Sequence, residues 1–296
     1  MSFKNIIGQK DVINYLTNAF SEDKIGHAYI FCGPEGIGKK TVAEEFAALI
    51  LCENPRNNKK CGQCSSCRLF ESGASPDIRR LSVESLSIGV DEVRESLSDL
   101  VIKPMYSARK VYIINDAEKL TAQAQNAILK SLEEPPSYAT IILITTVYDI
   151  LLETIRSRAV KVKFKENSYQ EVMEAITKKL GPGIDKERAE FAALWSNGSI
   201  GRALAMAEGQ EFSDLREKTF DAIIKIEKEK LRGIFEISSF FEKNKESCNL
   251  ILDFMISYYR DILMAAETAN ENMLINKDKE DIIFTKVFEY TAEQLA

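Results

Sequence analysis

Histidine is nearly absent from this 296-residue chain, where His27 stands alone. Catalysis through a Ser-His or Cys-His pair therefore has a single possible base. His27 precedes an apolar run, a position better suited to a structural hydrogen bond than to chemistry. Long apolar stretches are missing as well: none reaches the roughly 18–20 residues that a membrane-spanning helix needs. The start, Met1-Ser2-Phe3-Lys4-Asn5, lacks the basic-then-apolar layout of a secretory leader. We therefore expect a cytoplasmic protein with no membrane contact. Excess positive charge is absent too, since the formal net charge is −6 and the pI about 5.2. A chain that gripped nucleic acid by itself would carry a basic balance and basic–aromatic patches, so protein partners are the better expectation. Internal repeats and low-complexity stretches are lacking.

What is present suits full cores: 45% of residues are hydrophobic and 28% charged, enough for two or three domains. The first half alternates short apolar runs with helical patterns, the signature of a parallel α/β sheet. Strands are expected at Ala28–Cys32, Ile78–Leu81, Val111–Asn115, Thr140–Thr145 and Val160–Phe164. Helices are expected near Lys40–Leu51, Asp91–Ile102, Ala122–Glu133 and Leu151–Arg156, with Pro135-Pro136 stopping the third. Beyond Glu166 the pattern turns helical, at Tyr169–Leu180, Lys186–Trp195, Ile200–Ala207, Leu215–Ile226, Leu231–Phe241 and Leu250–Ala266. Gly181-Pro182-Gly183 breaks the first two of these, and the polar stretch Asn270–Lys279 reads as a mobile loop. Glu227-Lys228-Glu229-Lys230 reads as a solvated helix face, and Trp195 as core.

Six cysteines are unevenly spread. Cys32 and Cys248 read as ordinary buried thiols. Cys52, Cys61, Cys64 and Cys67 are clustered, and in a reducing compartment such clusters bind metal rather than form disulfides. Cys-x-x-Cys delivers two sulfurs from one turn, and four thiolates leave no open coordination position, so structural Zn²⁺ is the expectation. An iron–sulfur cluster is the alternative for the same ligands.

Gly33-Pro34-Glu35-Gly36-Ile37-Gly38-Lys39 follows a strand and opens a helix, the setting of a phosphate-binding loop. Gly33, Gly36 and Gly38 would let backbone N–H groups converge on phosphate, and Lys39 would reach the outer phosphates. The residue after that lysine should carry a magnesium-binding hydroxyl, but Lys40 stands there and Thr41 comes one place late.

These features resemble bacterial DNA polymerase III clamp-loader subunits of the AAA+ class. The loop, the four cysteines, Leu132-Glu133-Glu134-Pro135-Pro136 and Thr154-Ile155-Arg156-Ser157-Arg158 occur in that order, and the likeness spans Ile7 to Leu204. The resemblance implies an AAA+ domain with a parallel sheet over 1–165, bearing a zinc-binding insertion at 52–67. A small helical lid over 166–208 and a helical collar over 209–296 would follow. Active members carry Asp then Glu at the end of the acidic strand. This chain has Asn115 then Asp116, and neither register restores both carboxylates. Such degraded sites mark the delta-prime branch, whereas the gamma and tau motors keep theirs. The chain's length also suits delta-prime better than tau. The resemblance further implies that Arg158 acts in trans on ATP bound to a neighbouring motor subunit. Arg202 matches the nucleotide-sensing position of the lid, and Thr145 the sensor at a strand end. The expected function is that of a non-hydrolysing subunit assembling with gamma/tau and delta to load the sliding clamp on primed DNA. The alternative is an ATP-hydrolysing motor, and whether ATP or ADP still binds this chain is left open.

Overall fold

The computed structural model describes residue 3 and residues 6–82, 85–181, 183–208, 210–229, 231–268 and 270–290. Expectations that fall on Met1, Ser2, Lys4, Asn5, Pro182, Gly209, Lys230 and residues 291–296 lie outside this set. The chain forms two compact units, residues 1–175 with 197–201, and residues 176–196 with 202–296.

The first unit is built on five parallel strands: β1 (Ala28–Cys32), β2 (Ile78–Leu81), β3 (Lys110–Ile114), β4 (Ala139–Thr145) and β5 (Val160–Lys163). Their order across the sheet is β2-β3-β4-β1-β5. Every residue of β1, β3 and β4 is buried. Strands covered on both faces need continuous apolar runs rather than alternation, which is how they were legible. The edges differ, since β2 exposes Arg79 and Arg80 while β5 exposes Lys161 and Lys163. Charge on an edge blocks pairing with other chains.

Helices α1 (Lys10–Ser21) and α2 (Lys39–Ile50) cover one face, where Leu16, Phe46 and Leu49 pack with Phe31, Ile113 and Ile142. On the other face α4 (Val90–Ser96), α5 (Ala122–Glu133) and α6 (Glu153–Arg156) bring Val93, Ile128 and Ile155 onto Ile30, Tyr112 and Ile141. Each such large side chain contributes about 1.5–3 kcal/mol on full burial. Helix α1 was not anticipated, although Val12, Leu16 and Phe20 carry its i, i+4 spacing. Short α3 (Ser65–Glu71) was also missed.

The helix expected over Asp91–Ile102 is corrected, since α4 ends at Ser96. Tertiary carboxylates pull the following chain out of the helix. Asp99 accepts from Lys110 Nζ at 3.0 Å and Tyr112 Oη at 3.0 Å. Buried Asp77 accepts the backbone N–H groups of Met105, Tyr106 and Ser107 at 2.7–2.8 Å.

Helix α7 (Tyr169–Leu180) runs from the first unit into the second. The second unit adds α8 (Lys186–Trp195), α9 (Ile200–Glu208, whose first two residues belong to the first unit), α10 (Gln210–Glu229), α11 (Leu231–Lys243), α12 (Cys248–Thr268) and α13 (Glu280–Lys286). Phe220, Ile223, Tyr258, Ile262 and Ile283 form one of its cores. Trp195 is buried beside Phe191 and Phe254, so its expected core role holds. The segment Asn270–Lys279 is not the free loop that its polarity suggested. Asn276 is fully buried, and Asp261 accepts from the N–H groups of Ile275 and Asn276 at 3.0 and 2.7 Å. Among the described residues, no helix is long and apolar enough to cross a membrane.

Candidate functional site

Strand β1 lies between β4 and β5, so the chain order across the sheet reverses there and ligands favour its carboxyl end. The loop from Gly33 to Lys39 leaves from that end. Gly36 and Gly38 have φ of 70° and 100°, which L side chains rarely adopt. Gly201 closes the loop from outside, donating its N–H to Gly36 O at 2.8 Å. Lys39 is only 7% exposed, and its Nζ donates to Gly33 O and Pro34 O, both at 2.6 Å. Burial lowers its pKa, opposed chiefly by the charge of Glu118. The loop lysine is thus folded back on the carbonyls of its own loop, while Lys40 and Thr41 are exposed.

At the end of β3, Asn115 is buried and its N–H pairs with Leu81 O at 2.9 Å. Asp116 has φ 49°, and its carboxylate lies 3.3 Å from Lys119 Nζ. The acidic group acting most strongly on Lys39 is Glu118 rather than Asp116. Its Oε1 accepts from the Thr146 hydroxyl at 2.6 Å and the Thr146 N–H at 3.3 Å. Its Oε2 is buried with no hydrogen bond. Burial would raise the Glu118 pKa, but the hydrogen bonds from Thr146 outweigh it and hold the group low. The nearby signal was the acidic residue three places after Asn115, set by the 3₁₀ turn Ala117–Lys119. An orphaned carboxylate oxygen suits a cation, but a cationic Lys40 where a hydroxyl is needed, and an amide at Asn115, do not. Thr145, buried at the end of β4, exchanges hydrogen bonds with the backbone of Val147 at 3.1 Å.

The four clustered cysteines do meet. Their sulfurs all lie within 4.8 Å of one another, with Cys61 and Cys67 at 3.9 Å. Zn–S bonds of about 2.3 Å in a tetrahedron place sulfurs about 3.8 Å apart, so the set is sized for zinc. None of the six cysteines is in a disulfide. Backbone N–H groups of Gln63 and Cys64 donate to Cys61 Sγ at 3.4 and 3.3 Å. Cys61 N–H donates to Cys52 Sγ at 3.2 Å, and Cys67 N–H donates to Cys64 Sγ at 3.4 Å, capping α3. The N–H groups of Gln63 and Cys64 push the Cys61 thiol down to about 6, whereas burial pushes Cys52 and Cys67 up. Glu53 accepts from the N–H and hydroxyl of Ser66 at 2.8 and 2.9 Å, fixing α3 behind the sulfurs.

Arg158 follows α6 and is partly exposed. Its Nη1 donates to Thr154 O at 3.0 Å and its Nη2 meets Glu133 Oε1 at 2.9 Å. Arg156 differs: it pairs with Asp149 at 2.7 Å and lies over the Tyr148 ring. Arg202 belongs to the second unit, and its guanidinium is paired with Asp253. His27 offers its carbonyl to Ile141 N–H at 2.8 Å within the sheet, and its side chain is exposed.

A family model described as "DNA polymerase III, delta subunit" matches residues 8–168, more than half of the chain. The chain is 36% identical over 210 residues to the DNA polymerase III subunit gamma of Buchnera aphidicola subsp. Schizaphis graminum, covering 70% of this chain and 58% of that protein. It is 28% identical over 312 residues to subunit tau of Bacillus subtilis, covering 99% of this chain and 55% of that protein. To subunit delta' of Pseudomonas aeruginosa it is 31% identical over 259 residues, covering 87% of this chain and 77% of that protein. The chain thus spans less than two thirds of the gamma and tau relatives. With a parallel five-stranded AAA+-type domain followed by helices, and with these relatives, the chain belongs to the DNA polymerase III clamp-loader subunit family, delta-prime or gamma/tau.

Proposed function

We propose that this chain is a delta-prime-type subunit that does not hydrolyse ATP. Its partners would be gamma/tau and delta subunits, with the sliding clamp and primed DNA reached through the assembled loader. Residues 1–165 would form the AAA+ body, 166–208 the lid and 209–296 the collar that joins the ring, in the cytoplasm. Cys52, Cys61, Cys64 and Cys67 would hold one Zn²⁺, which ties the insertion together and takes no part in chemistry.

The observation that carries this reading is the state of the nucleotide site. Lys40 occupies the place of the magnesium-binding hydroxyl, Asn115 replaces a carboxylate, and Lys39 is bonded to Gly33 and Pro34 carbonyls. Gly33, Gly36, Gly38, Lys39 and Thr41 would then be remnants of a phosphate site rather than an engine, and Arg202 a relic of the lid's sensing position. Arg158 would supply charge in trans to ATP on a motor neighbour, a role worth about 10³–10⁵ in rate where such fingers act. A motor of the gamma/tau type is the second reading, favoured by Glu118, whose buried oxygen retains one acidic group beside Lys39.

ATP turnover separates the two. The protein alone should be silent, and adding it to gamma/tau, delta, clamp and primed DNA should stimulate turnover. Robust turnover by the chain alone, abolished by Lys39→Ala, would identify a motor instead. In the silent case, Lys40→Thr with Asn115→Asp should recover nucleotide binding measured by calorimetry.

A further inference from the structure

Glu133 ends α5 and Glu134 follows as its cap, with Lys130 in the last turn. The carboxyl end of a helix carries partial negative charge, so two carboxylates there cost stability and need a compensating role. Their surroundings supply one. Glu133 Oε1 lies 2.9 Å from Arg158 Nη2, and Thr154 O takes the other terminal nitrogen at 3.0 Å. Arg158 Nη1 also lies 3.4 Å from Ser157 Oγ. The guanidinium is thus held on one side, by one carboxylate and one helix-end carbonyl, while the side chain stays 36% exposed. Arg156, two residues earlier, is more enclosed, between Asp149 and the Tyr148 ring, with its Nε buried.

We infer that Glu133 is the positioning residue of Arg158. It fixes the rotamer of an otherwise floppy side chain, so that the fork stands ready to meet an anionic phosphate oxygen presented by a second protein. Arginine loses substantial rotamer freedom on being ordered, and ordering it before the encounter removes that cost from the reacting state. Because the pair is exposed on both sides, its contribution is modest, and this sets the size of the expected effect. The inference rests on the reading of Arg158 as a residue acting in trans, and the test separates the two.

The experiment is a double-mutant cycle on ATP turnover by the complete ring, assembled with gamma/tau, delta, clamp and primed DNA. Glu133→Gln keeps size and hydrogen-bonding capacity but removes the charge. It should lower kcat about two- to five-fold with KM for ATP unchanged. The loss should vanish in the Arg158→Ala background, because there is no longer a guanidinium to position. The thermal midpoint of the isolated Glu133→Gln chain should be equal or higher, since a carboxylate leaves the negative end of α5; a purely structural role would lower it. Unchanged or raised kcat in Glu133→Gln, while Arg158→Ala slows the ring, overturns the positioning role and leaves the trans role standing. A loss that persists in full beside Arg158→Ala also overturns it. Arg158→Ala rings that turn over at the wild-type rate overturn both.

Discussion

Single residues mark the places where this fold tolerates least. Gly198 has φ 75°, and a Cβ there would sit 2.6 Å from Asn167 O and 2.8 Å from Asn167 N. Backbone cannot retreat as a flexible side chain can. Gly198→Ala should therefore lose about 2–4 kcal/mol, combining left-handed strain with the clash, and urea unfolding would read it. Asp99 offers a second test. Burial alone would raise its pKa, but the hydrogen bonds from Lys110 and Tyr112 and the Lys110 charge outweigh that and leave it below the ordinary carboxylate value. A depressed folded-state pKa means that the stabilisation is complete above the unfolded value of about 3.9 and is lost as pH falls through the folded value. Asp99→Asn should cost about 2–4 kcal/mol at pH 7, because Lys110, with a side chain only 6% exposed, loses its counter-charge. That deficit should shrink in acid, where wild-type Asp99 is protonated too. Neither position was legible beforehand: Gly198 looks like any turn glycine, and Asp99 lies in a stretch that reads as helix.

At the scale of elements, the cysteine knuckle is the clearest case of spacing becoming structure. Eight, two and two intervening residues were enough to predict a four-thiolate set, because a Cys-x-x-Cys turn needs only local backbone geometry. Its second layer was not foreseen. Glu53 holds Ser66, and Ser66 Oγ lies 3.1 Å from Ser107 Oγ, on the segment that Asp77 fixes by three backbone N–H groups. Cys64→Ser should abolish the one zinc expected per chain by mass spectrometry of the metal. Hydrogen exchange should rise over Ser65–Glu71 and spread to Met105–Ser107, while β1, β3 and β4 stay protected. Full zinc retention would remove Cys64 from the ligand set. The shortened α4 gives the opposite lesson. Its residues favour a longer helix, but the bonds of Asp99 to Lys110 and Tyr112, and the hold of Asp77 on residues 105–107, outcompete that preference.

For the whole molecule, the test of the proposed function is whether ATP turnover resides in this chain or in a neighbouring subunit. On the proposed reading, Arg158→Ala should leave ring assembly intact by gel filtration and slow ring turnover at least ten-fold. Loss of assembly together with turnover would place Arg158 at a structural contact instead. Relatives alone do not make this choice, since both delta-prime and gamma/tau proteins lie near 30% identity. On the proposed reading the discriminating residues are few, Lys40 and Asn115 above all, and they would act through charge and ligand type rather than through the fold.

The parallel sheet, the glycine-rich turn after β1 and the cysteine set were determined by the sequence alone. Buried strands must be apolar throughout, a loop curling at Gly36 and Gly38 needs glycine, and metal-ligand spacing is a local property of the chain. Tertiary structure alone decided which carboxylate acts most strongly on Lys39, where α4 stops, how Asp261 ties down residues 275 and 276, and what holds Arg158. Each of those depends on a charged or hydrogen-bonding group meeting a partner far away in sequence. Such meetings are set by how the elements pack, and no periodicity along the chain records them.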